Sequence, residues 1–99
     1  MFGKLNEAKQ KAEEVKQRLE TISVQGEAEN GAVRVIANGN RRIQEIIIDD
    51  RLLADKEQLQ DILTVAVNRA IENADNVANA EMQAIAGQLL PGLGNLFGK

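Results

Sequence analysis

Five carboxylates crowd one stretch of this chain: Asp49, Asp50, Asp55, Glu57 and Asp61. Carboxylates at that density could hold Mg²⁺ or pass protons. Their spacing fits a plainer role, because Asp is a preferred helix cap and acids favour a helix's first turn. Asp55 followed three residues later by Gln58 has the form of a capping box. Thr21 and Ser23 offer hydroxyls, but the chain has no His to activate them and no Cys. Triad chemistry, thiolate chemistry, disulfides and the thiolate and imidazole metal sites are therefore excluded. Gly92, Gly94 and Gly98 have the wrong spacing for a dinucleotide loop, with no strand before them or helix after them. No catalytic constellation is present, so the chain is expected not to be an enzyme and to need no cofactor.

The remaining candidates are basic. With Leu5 at heptad position a, Lys4, Lys11 and Arg18 fall at g, and Lys9 and Lys16 fall at e. Glu7, Glu13, Glu14 and Glu20 fall at b or c, away from the seam. Five cations thus flank one apolar stripe. Two copies of this segment in a coiled coil would set like charges against each other. The stripe is expected to pack on something else, such as the acidic long helix described below. Two readings remain open: cations matched within the chain, with Lys stems covering apolar surface, or a basic rail that meets nucleic-acid phosphates. Arg34, Arg41 and Arg42 either blunt strand ends or extend that rail. No aromatic side chain lies among them, so base stacking is unavailable and any DNA contact would be to the backbone.

These residues must be positioned by elements that the periodicity predicts. Leu5, Ala8, Ala12, Val15, Leu19 and Ile22 step by three and four, which predicts a helix over about 4–22. The period then becomes two. Val24, Gly26 and Ala28, then Val33, Val35 and Ala37, then the run Ile43, Ile46, Ile47 and Ile48 predict three strands. Asn30-Gly31 and Asn38-Gly39 signal the two hairpins between them. Leu59, Ile62, Leu63, Ala66, Val67, Ala70, Ile71, Ala74, Val77 and Ala78 form a wide apolar stripe. They predict a long helix from about Lys56 to Ala86, ended by Gly87 with Pro91 beyond. The fold class is α+β: helix, three-stranded antiparallel meander, long helix. One domain is expected over 1–90, followed by a Gly-rich tail, 91–99, that is dispensable for folding.

The 99 residues carry 12 basic and 15 acidic groups, a net charge of −3. The first 22 residues are net +1 and the last 50 net −3, so the acidity sits in the C-terminal half. Aromatic content is 2%, which leaves a core of Leu, Ile, Val and Ala. A chain this short buries a modest share of its surface. A second copy would thicken so thin a core, and a homodimer is expected. No signal core and no apolar run of about 20 residues is present, which makes the cytoplasm the expected address and a membrane no partner.

The order of elements resembles the YbaB/EbfC family of bacterial nucleoid-associated proteins. The resemblance is carried by Val24-Gln25-Gly26-Glu27, Gly31-Ala32-Val33-Arg34-Val35, Asn38-Gly39, Ile46-Ile47-Ile48-Asp49 and Leu52-Leu53. It continues through Asp61-Ile62-Leu63, Ala66, Asn68, Ala70, Glu81-Met82, Pro91-Gly92 and Gly94-Asn95-Leu96-Phe97. It implies an intertwined homodimer with helices projecting like tweezers from a central sheet. It also implies duplex-DNA binding, nucleoid association and an effect on chromosome organisation or gene expression. The family's DNA-contacting surface is not a fixed motif, so the candidates remain Lys4, Lys9, Lys11, Lys16, Arg18, Arg34, Arg41 and Arg42. The alternative is a protein-interaction module of the same fold that binds a protein and not DNA.

Overall fold

The computed structural model describes residues 2–89. The tail expected over 91–99 lies outside the described residues. Helix α1 (Phe2–Thr21) leads into strands β1 (Ser23–Ala28), β2 (Val33–Asn38) and β3 (Ile43–Ile48). A short 3₁₀ turn, Asp50–Ala54, then precedes helix α2 (Lys56–Leu89). The strands form one antiparallel sheet in the order β1-β2-β3, as the two hairpin signals predict. Val35 stands opposite Gly26 on one side and Ile46 on the other, and a bulge interrupts the second ladder between Ile36 and Ala37.

The alternation of β2 sets the core. Val33, Val35 and Ala37 are fully buried under α2, while Arg34 between them is exposed. Ile62, Ala66, Ala70 and Ala74 form the face of α2 that meets the sheet. These small residues let the helix approach closely. At Gly26 the approach is so close that an added Cβ would overlap the Ala70 nitrogen and the Ala66 oxygen.

A second cluster joins the helices. Val15 and Leu19 of α1 are buried against Ile85, with Ile22, Val77 and Ala78 around them. The predicted seam is thus used only at its C-terminal end: Leu5 is 62% exposed and Ala12 is exposed too. α2 has 34 residues, about 51 Å at the helical rise. Its length explains the elongated body, 61 × 27 × 16 Å.

The caps form as the sequence predicts. Asp55 Oδ1 accepts from the Gln58 amide at 3.1 Å, and Asp49 Oδ1 accepts from the Arg51 amide at 2.9 Å. One expectation needs correction. Gly87 does not end the long helix, which runs to Leu89. A helical glycine weakens a helix by only about 1 kcal/mol, and Ile85 is anchored on α1 just before it. Neither hairpin is a two-residue turn centred on its Asn-Gly pair. In the first loop the left-handed residues begin at Glu29 and Asn30, with φ 54° and 55°. In the second, Asn38 pairs with Arg42, and the left-handed residue is Arg41, φ 66°. Gly39 serves a different purpose there: a Cβ would stand 2.7 Å from Leu19 Cδ2.

The β-branched run of β3 is left largely uncovered. α2 packs mainly over β1 and β2. Ile43, Ile46 and Ile47 are 37%, 44% and 37% exposed. Ile43 and Ile46 share the face of Ala37 and Val35 that α2 packs against, and Ile47 shares the outer face of Arg34; on α2, Leu59, Leu63, Val67 and Ile71 are only partly buried.

Candidate nucleic-acid interface

The end of α1 and the β2–β3 hairpin are built as one unit. The last carbonyls of a helix lack helical partners, and here the hairpin supplies them. The Gly39 amide donates to Leu19 O at 2.9 Å, and Asn40 Nδ2 donates to Lys16 O at 3.0 Å. Asn40 Nδ2 also reaches Glu20 Oε1 at 2.8 Å. Asn38 is buried, 1% exposed, and its Oδ1 accepts from the amides of Asn40 and Arg42 at 2.9 and 3.1 Å. The turn signal at Asn38-Gly39 does not disclose this role. A usable signal is present in Asn-Gly-Asn, three residues suited to donating and accepting at a helix end.

This unit places Lys16 beside the hairpin that carries Arg41 and Arg42. Arg34 is not brought into the group. It lies four residues back along β2, about 13 Å away, on the outer sheet face opposite Glu27 and Ile47. The side chain of Lys4 lies outside the described residues.

Among the described residues, two of the candidates are matched within the chain. Arg18 Nη2 stands 2.6 Å from Glu81 Oε2 on α2. The hydrogen bond from Arg18 and the charge of Glu81 hold the guanidinium above its ordinary pKa. Arg41 Nη1 stands 2.8 Å from Asp75 Oδ1, also on α2. The α1 stripe packs on the acidic helix through Val15 and Leu19, and Arg18 beside it is matched by Glu81. Lys9 and Lys16 are exposed, and Lys11 is half-buried in a shallow hollow with Glu14, Arg18, Ala84 and Ile85. Among the described residues, Lys9, Lys11, Lys16, Arg34 and Arg42 have no carboxylate within ion-pair distance.

The cations lie on two flanks of α1, with Lys11 and Arg18 on the side of α2 and Lys16 beside the hairpin of Arg41 and Arg42, and no cluster of three or more possible metal ligands is present among the described residues. No described helix is long and apolar enough to cross a membrane. Such a surface can meet closely spaced phosphates.

The YbaB/EbfC DNA-binding family matches residues 1–89. A nucleoid-associated protein of Flavobacterium johnsoniae is 42% identical over 100 residues, covering 98% of this chain and 94% of that protein. A nucleoid-associated protein of Chlorobium phaeobacteroides strain BS1 is 36% identical over 92 residues, covering 93% and 83%. The crystal structure of an uncharacterized Helicobacter pylori protein shares the fold. It has a TM-score of 0.69 and 26% identity, and the match covers 81% of this chain and 93% of that one. Matched over 89 of its 99 residues, the chain belongs to the YbaB/EbfC DNA-binding family.

Proposed function

We propose that the protein is a homodimer that binds duplex DNA through backbone contacts and acts on chromosome organisation or gene expression at the nucleoid, in the cytoplasm. It performs no catalysis and takes no cofactor. The observation that carries the DNA reading is the set of basic side chains left without acidic partners along α1 and onto the hairpin. Lys9, Lys11 and Lys16 supply the first part of the contact, continued by Arg42, with Lys4 before them and Arg34 set apart. Arg18 and Arg41 join by exchanging a carboxylate for a phosphate. These contacts recognise charge and spacing, not base edges, so binding is largely indifferent to sequence.

The homodimer is supported by the uncovered side of the sheet. An edge strand with Ile43 and Ile46 exposed on the face that α2 packs against, on a sheet whose helix also carries half-buried Leu59, Leu63, Val67 and Ile71, is an incomplete core. A second copy brings the same apolar surface and doubles the rail, which offsets the net acidity locally. The net charge of −3 and the two internally matched arginines favour the second reading, a protein-interaction module of the same fold.

A salt titration of duplex binding separates the two. The Lys9→Gln/Lys16→Gln double variant should fold normally and bind all duplex sequences more weakly by a similar factor. Its salt slope should fall by about 0.9 for each phosphate that the variant no longer neutralises. An unchanged slope refutes the rail. No binding by the parent protein at low salt, where attraction is least screened, favours the protein-interaction reading.

A further inference from the structure

A three-stranded sheet has two edges, and this one treats them differently. At β3 the edge is bare: among the described residues no side chain hydrogen-bonds to its main chain, and its isoleucines are exposed. At β1 the edge is occupied. Arg69 Nη1 donates to Glu27 O at 2.8 Å, and Asn73 Nδ2 donates to Gln25 O at 2.7 Å. Both donors come from α2, on the flank opposite Leu63, Val67 and Ile71. The spacing matches: four helical residues rise about 6 Å, and two strand residues advance about 6.6 Å.

We infer that Arg69 and Asn73 close β1 against strand addition by a second copy of this chain. Gln25 and Glu27 point their carbonyls outward, since those oxygens accept from α2 and not from β2. An incoming strand needs the same oxygens as acceptors for its own amides. It would have to displace a charged donor at Glu27, whose hydrogen bond is of the stronger kind, and a second donor at Gln25. That association stops at two copies rests on the homodimer reading, whereas the closure of β1 belongs to the single chain.

The test compares the full chain with Arg69→Met/Asn73→Ala, which removes both donors and keeps the aliphatic stem of residue 69. Sedimentation across a concentration series should show species heavier than the parent's at concentrations where the parent stays a single species. Adding Gln25→Pro should return the parent's size, because proline deletes the outward amide that strand addition also needs. That rescue separates edge pairing from aggregation of unfolded chain, which proline would not reverse. A helical variant that sediments as the parent does overturns the inference, as does association that Gln25→Pro leaves unchanged. A parent that is monomeric while the variant associates overturns the homodimer and supports the closed edge. A dimeric parent with a dimeric variant does the reverse.

Discussion

Replacing Gly26 by alanine adds one methyl group, and the structure makes it one of the most damaging small changes available. The new Cβ would overlap the Ala70 nitrogen and the Ala66 oxygen and stand 2.8 Å from Ala70 Cα. Ordinary carbon contacts begin near 3.5 Å, so α2 must retreat from β1 by on the order of 1 Å. The obstacle is main chain, so no rotamer change can relieve it. Ala66, Ala70 and Ala74 of α2 are fully buried, and lifting the helix off the sheet uncovers them and loosens the packing of Val33, Val35 and Ala37. Overpacking of this kind costs about 1–3 kcal/mol, and backbone obstruction places Gly26→Ala at the upper end. Restricting the unfolded chain returns only about 0.4–1 kcal/mol. The net loss is about 2 kcal/mol, or roughly 8–16 °C in Tm for a domain of this size. Urea denaturation followed by circular dichroism measures it. Gly87→Ala is the control: nothing lies within 4 Å of its added Cβ and it sits inside α2, so it should stabilise by roughly 0.5–1 kcal/mol. Equal or greater stability for Gly26→Ala would refute the close approach of α2 to β1.

Ile71→Asp should separate the proposed dimer. Each carboxylate taken into an apolar contact costs about 2 kcal/mol, and a two-fold interface takes in two. The dimer dissociation constant should then rise by roughly 10³, read by sedimentation at micromolar concentration. Asp49 governs a pH effect. The hydrogen bond from the Arg51 side chain, then that from the Arg51 amide, holds its carboxyl below the ordinary 3.8. A lowered folded-state pKa contributes stability above the ordinary value and loses it as pH falls through the lowered one. Asp49→Asn should therefore be slightly less stable than the parent at pH 7, with the difference closing below about pH 4. Urea midpoints at the two pH values check this.

The order of elements was legible because hydrophobic period is a local property. A three-four step over Leu5–Ile22 and a two-step over Val33–Ala37 follow from how side chains project from helix and strand, whatever they later touch. Caps were equally legible, since Asp49 and Asp55 satisfy amides only two and three residues away. The basic candidates could be named from their positions on one helix, but not sorted. Whether Arg18 is matched depends on Glu81, 63 residues away, and Arg41 depends on Asp75, 34 residues away.

Tertiary structure decided the rest. Gly26 reads in the sequence as a weak strand position; only the crossing of α2 makes it a required one. Asn38-Gly39 reads as a tight hairpin, yet Gly39 is there for the room that Leu19 takes. Arg69 and Asn73 look like ordinary polar residues on a helix flank until the sheet edge is set beneath them. The isoleucines of β3 read as core, and in the single chain they stand exposed because α2 lies over the other two strands. Periodicity states which face of an element is apolar. What covers that face depends on the angle at which distant elements cross, and that is set by the packing of the whole chain.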